Sequence, residues 1–148
     1  FSILLEGFYY MAKTISMQDI RHLNLFEKIT RIQTRFSFKY NDTLIFGVPK
    51  PFLLQAIGRD SENLRKIHGI LKTRVKVVPL PKGIEDLKIF VERIVAPVKF
   101  KEIEVIGDDI VLTAGSESKA ALIGRNKRRL LEMQKIIADY FSKGFRII

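Results

Sequence analysis

The chain has 148 residues, 47% of them hydrophobic and 28% charged, which is enough apolar content for packed cores and too much for a disordered tail. It carries 26 Lys and Arg against 16 Asp and Glu, a net charge of +10, which points to a polyanionic partner, with nucleic acid ahead of a membrane surface. There is no cysteine, which excludes disulfides and thiolate metal sites, and no apolar run is long enough to span a bilayer.

The first stretch is apolar but is interrupted by Glu6 and Gly7, and it has neither the basic leader nor the small-residue cleavage site of a signal peptide. The expectation is a cytoplasmic protein. Met11 or Met17 is an alternative start, so residues 1–15 are set apart as an N-terminal extension or an artefact, with no function placed on them.

From residue 16 the pattern becomes regular. Ser16 and Asp19 have the spacing of a capping box, and Ile20, Leu23, Phe26, Ile29 and Ile32 recur at close to helical spacing, predicting an amphipathic helix. Phe36, Phe38 and Tyr40 then alternate with Ser37 and Lys39, Asn41 and Asp42 supply turn chemistry, and residues 44–48 are apolar, which predicts a hairpin. Pro49 and Pro51 close it. Residues 52–57 read as a short helix ending at Gly58, and residues 61–71 as a second helix with Leu64, Ile67 and Leu71 on one face. Val75 and Val77 mark a strand that stops at Pro79.

A stiff joint with two prolines, Pro79 and Pro81, divides the chain into units at 16–80 and 81–148. In the second unit, Glu85 and Asp86 suit a first helical turn, and Ile84, Leu87, Phe90, Val91, Ile94 and Val95 form an apolar face before Pro97. Ile103 and Val105 alternate with Glu102 and Glu104, Gly107 and Asp108 turn the chain, and residues 110–114 return as the second arm of a hairpin. Ser116 or Ser118 is expected to cap a short helix leading to Gly124. Residues 127–141 form a long helix carrying Leu130, Met133, Ile137 and Phe141, Gly144 is its expected C-cap, and residues 145–148 are the closing strand.

Both units are organised around a glycine between two helices. Ala56, Ile57, Gly58 and Arg59 are followed by Asn63 and Leu64, while Leu122, Ile123, Gly124 and Arg125 are followed by Leu130. The two glycines lie 66 residues apart, at 58 and 124, and each is followed by a leucine at the same distance, so one unit is used twice. A glycine permits a tight turn and close approach of a ligand, and the next helix offers unpaired N–H groups and its positive dipole end. The reading is a phosphate cradle.

The order helix, strand, strand, helix, glycine turn, helix, strand resembles a type II KH domain. Two in tandem resemble the RNA-binding half of the NusA transcription factors, above all their short archaeal relatives, and Val95, Ala96 and Pro97 are similar to that family's entry into its second hairpin. The resemblance covers the chain from Ser16 onward. It implies an α+β fold, single-stranded RNA as partner, RNA polymerase as a further contact, and modulation of elongation or termination through nascent transcript. KH domains clamp about four nucleotides with a Gly-x-x-Gly loop. Here the fourth loop positions are Ser61 and Lys127, so each loop keeps only its first glycine.

The residues this assigns to RNA are Gly58, Arg59, Asp60, Ser61 and Arg65 in the first unit. In the second they are Lys119, Ile123, Gly124, Arg125, Asn126, Lys127, Arg128 and Arg129. Between positions 119 and 129 there are five cations and no acid, whereas between 55 and 66 Arg59, Arg65 and Lys66 are offset by Asp60 and Glu62. The second corner is therefore expected to dominate affinity and its salt dependence.

Other chemistry is weakly supported. His22 and His68 are far apart in sequence, Glu102 and Glu104 read as a solvated strand face, and neither a nucleophile elbow nor a phosphate loop ending in Lys-Ser or Lys-Thr is present. The expectation is a monomeric binding protein with no enzymatic activity, cofactor, metal or membrane partner. The alternative is a structural or assembly protein whose degenerate KH units contact a ribosome, a polymerase or another protein.

Overall fold

The computed structural model of the protein describes residues 16–148, so the expectations for residues 1–15 lie outside it. Its first helix, α1 (Met17–Thr30), begins at a closed capping box: Ser16 Oγ accepts from the Asp19 amide at 3.1 Å, and the Asp19 carboxylate accepts from the Ser16 amide at 3.2 Å. The helix ends where Arg31 takes a left-handed φ of 65°. That turn corrects the five-residue apolar stripe. Ile32 lies beyond the helix, Ile20 is exposed, and the buried positions are Leu23, Phe26 and Thr30.

Strands β1 (Phe36–Tyr40) and β2 (Thr43–Val48) pair antiparallel through Asn41 and Asp42, whose φ values of 52° and 57° suit the twist of a two-residue hairpin. The short helix α2 (Leu53–Ile57) and the longer α3 (Glu62–Leu71) carry the chain across to β3 (Arg74–Pro79), which lies parallel to β2. The sheet order is β1-β2-β3. The core is formed where α1 meets the sheet: the Phe26 and Phe46 rings stack with centroids 4.3 Å apart, and Val48, Ala56 and Ile67 are fully buried around them. β2 is buried along its whole length, on both faces.

The chain divides into two compact units between Leu80 and Pro81. The second unit opens with a 3₁₀ turn at Ile84–Asp86 and continues as α4 (Leu87–Val95). Ile84 belongs to the turn rather than the helix, so it is exposed, while Leu87, Phe90, Val91, Ile94 and Val95 are buried. Phe90 packs edge-on to Phe141 at 5.8 Å and tilted to Tyr140 at 5.1 Å, which ties α4 to the last helix.

Strands β4 (Glu102–Ile106) and β5 (Asp109–Thr113) form the hairpin, and β6 (Gly144–Ile147) lies parallel to β5, giving the order β4-β5-β6. β5 carries the burial, with Ile110, Val111 and Leu112 at 0% exposure, whereas β4 is an edge strand on which Val105 and Ile106 reach solvent.

Two caps differ from expectation. Helix α5 (Ser116–Ile123) has Gly115 as its N-cap, because Ser116 and Ser118 already lie inside its first turn. Helix α6 (Arg128–Phe141) ends on Ser142 in a left-handed conformation, and Gly144 instead opens β6. Its amide donates to the Asp108 carbonyl at 2.9 Å, and a Cβ there would collide with Asp109 Oδ1. Among the described residues the protein is thus an α+β fold of six α-helices and two three-stranded sheets. No helix among them is long and apolar enough to cross a membrane.

Candidate functional site

The two glycine corners have the same backbone. Gly58 stands at φ 81°, ψ 169° and Gly124 at φ 75°, ψ 171°, a region essentially closed to residues with a Cβ. Each glycine ends its helix by donating one turn back: Gly58 to Leu54 and Gly124 to Ala120, both at 3.0 Å. Crowding adds to the constraint. A Cβ at position 58 would lie 3.0 Å from the Asn63 amide nitrogen, and one at 124 would lie 3.1 Å from that of Arg129.

Past each glycine runs a short 3₁₀ turn, Arg59–Ser61 and Arg125–Lys127, whose last two residues are left-handed. Asp60 and Ser61 have φ values of 54° and 60°, and Asn126 and Lys127 have 56° and 60°. Asp and Asn tolerate this conformation better than most residues. Ser61 and Lys127 occupy the place where the KH pattern has its second glycine, and both keep the positive φ that such a glycine would adopt freely.

Each corner is pinned from behind by the fifth residue past its glycine. Asn63 donates its side-chain amide to the Gln55 carbonyl at 3.0 Å, and Arg129 donates Nη1–H to the Ala121 carbonyl at 2.8 Å. Arg129 is part-buried in that bond, which separates it from the exposed Arg125 and Lys127. The 66-residue offset itself was the available signal, since Asn63 and Arg129 occupy equivalent places.

The side chains around the turns are in solvent. Arg59, Asp60, Ser61 and Arg65 are exposed in the first corner, as are Arg125, Asn126, Lys127 and Arg128 in the second, while Lys119, Ile123 and both glycines are half-buried. The helices that follow begin with no side-chain cap at either corner. The preceding 3₁₀ turn takes the first N–H of each, Glu62 donating to the Arg59 carbonyl and Arg128 to the Arg125 carbonyl.

Electrostatics distinguish the corners. Helix α3 has Glu62 in its first turn, which suits the dipole, and Glu62 also pairs with Lys66 at 3.2 Å on the surface. Helix α6 has no acid in its first turn and opens with Arg128 and Arg129. Cations at the positive end of a helix dipole are unfavourable by a few tenths of a kcal/mol or more each, a cost that a bound anion reverses. The second corner thus combines a helix start without a side-chain cap, an unfavourable crowd of positive charge, and exposed Arg125 and Lys127. Its chemistry is that of an anion site. Among the described residues no group of three or more His, Cys, Asp or Glu is placed to hold a metal.

No family model matches the chain. It is similar to a protein described as "Probable transcription termination protein NusA" from Methanococcus vannielii, with 27% identity over 104 residues. That match covers 69% of this chain and 58% of the relative's length. A solved structure described as "Crystal structure of APE1850" superposes with a TM-score of 0.61 and 20% identity, covering 90% of this chain and 99% of that one. The likeness in structure is one of fold.

Proposed function

We propose that the chain is a tandem of two type II KH-like units that binds single-stranded RNA and acts on transcription, at termination or elongation, as the name of its archaeal relative suggests. The supporting observation is the second corner. There a glycine turn, an uncapped helix start and exposed Arg125 and Lys127 lie together with no acidic side chain between positions 119 and 129. An RNA backbone supplies the anions that this arrangement lacks, and the first corner, with Asp60 in its turn, extends or orients the same strand. We read the protein as a non-enzymatic, cytoplasmic monomer, with the polymerase as a further partner.

The test is binding of a short unstructured RNA across a salt series. The expected result is micromolar or tighter binding at low salt, with a steep log–log slope that falls by about one for each of Arg125→Ala and Lys127→Ala. Arg59→Ala should lower affinity less. No binding at low salt would overturn the RNA reading. It would favour the second reading, a structural or assembly role, to which the side chains held left-handed at Ser61 and Lys127 are the feature that speaks. Equal losses at the two corners would remove the assignment of the second as the stronger clamp.

A further inference from the structure

The two hairpins have the same place in their units but present different outer strands. Aligned on their turns, Phe36, Phe38, Lys39 and Tyr40 of β1 correspond to Glu102, Glu104, Val105 and Ile106 of β4. On β1 both phenylalanines are half-buried, Tyr40 is buried, and only Lys39 is exposed. On β4 every residue except Ile103 is exposed, with Val105 at 41% and Ile106 at 48%. Strand β4 pairs with β5 alone, so its other edge is open among the described residues. Ile106 and Asp109 close the two-residue turn as a hydrogen-bonded pair, and alternation from there turns the N–H and C=O groups of Ile103 and Val105 outward. Lysine is a usual guard of such an edge, and β1 carries one in Lys39, whereas β4 has two glutamates and no lysine.

We propose that β4 is a docking edge for an extended basic segment of a partner protein, which pairs with it antiparallel and adds a fourth strand to the second sheet. Glu102 and Glu104 lie two residues apart and so share one face of the strand, and neither has an ion-pair partner among the described residues. Lys99 and Lys101 lie before β4, so the strand itself carries only negative charge, in a chain whose net charge is +10. That charge decides the occupant. An RNA strand is repelled by both carboxylates, and a second copy paired antiparallel through the same edge brings glutamate beside glutamate. A segment with Lys or Arg at alternate positions meets both carboxylates on one face, while the apolar residues between them cover Ile103 and Val105 on the other. The backbone ladder then supplies affinity, and the alternating side chains supply specificity. The basic corner at Gly124 is built from α5 and α6, not from β4, so the inference does not depend on the RNA reading.

The experiment titrates the full chain at low salt with three peptides: alternating Lys-Val-Lys-Val-Lys-Val, the block arrangement Lys-Lys-Lys-Val-Val-Val, and the alternating peptide N-methylated at its valines. Amide chemical shifts and hydrogen exchange over residues 102–106 are the readout. The alternating peptide should bind at least about fivefold more tightly than the block peptide of equal charge, and it should slow exchange of the Ile103 and Val105 amides. N-methylation removes the donors that face β4 and should abolish that advantage. Glu102→Gln with Glu104→Gln should weaken the alternating peptide by about fivefold or more. Both side chains are exposed, so the unfolding midpoint of this variant should stay where it is. Equal binding of all three peptides would mean that charge alone attracts them, and would overturn the added strand. Shifts confined to residues outside 102–106, or no binding of the alternating peptide, would overturn the site.

Discussion

Arg129 donates its guanidinium N–H to the Ala121 carbonyl at 2.8 Å, across the corner that Gly124 forms. Asn63 makes the same bond to Gln55 in the first unit, so two unlike side chains do one job at equivalent places. Each fixes the C-terminal turn of one helix to the start of the next. Replacing either by Ala should cost about 1 kcal/mol of stability, the net worth of one hydrogen bond, and chemical denaturation would read the loss. Arg129→Ala should lower stability and RNA affinity together, whereas Lys127→Ala lowers affinity alone.

Ser61 and Lys127 sit in left-handed backbone, which costs a residue with a Cβ roughly 1–2 kcal/mol. Ser61→Gly and Lys127→Gly should therefore each raise stability by about 1 kcal/mol. For Lys127→Gly the two readouts should move in opposite directions, with a higher denaturation midpoint and weaker RNA binding. A glycine at 127 that improved both would show that close backbone approach matters more there than charge.

Gly58 and Gly124 have no such freedom. Their conformation belongs almost wholly to glycine, and an added Cβ would press on the backbone amide of the fifth residue on, Asn63 or Arg129. Gly58→Ala and Gly124→Ala should each destabilise by about 1–3 kcal/mol or more, measured as a shift in the unfolding midpoint. Neutral substitution at either site would contradict the corner geometry.

His22 lies part-buried on α1, and its Nδ1 has no hydrogen-bond partner among the described residues. Burial, helped by the charge of Lys39 and opposed by that of Asp19, holds its pKa below 6.5. On acidification the unfolded chain takes up this proton first, so the stability His22 contributes is present above pH 6.5 and lost as pH falls through the lowered value. The midpoint of unfolding should drop between about pH 7 and pH 5, and His22→Gln should reduce that drop. A midpoint that stays level over this range in the wild type would refute the assignment.

Much of this architecture is readable from local pattern, because local pattern is what helices and hairpins respond to. The capping box at Ser16, the two-residue turn at Asn41 and Asp42, and the glycine corners follow from side-chain chemistry within a few residues, and all are present. The charge contrast between the corners is likewise a property of the sequence. Periodicity fails where one element gives way to another: Ile32 and Ile84 keep helical spacing but lie outside the helices, since a left-handed residue or a 3₁₀ turn had already redirected the chain.

The repeat, the order of elements and the excess of positive charge at the second corner are matters of spacing and composition, and they can be read along the chain. The left-handed backbone of Ser61 and Lys127, the pinning of Arg129 and the exposure of Leu54 emerge from the folded chain. Such outcomes depend on which groups distant in the chain arrive at the same place, and a one-dimensional pattern carries no measure of that.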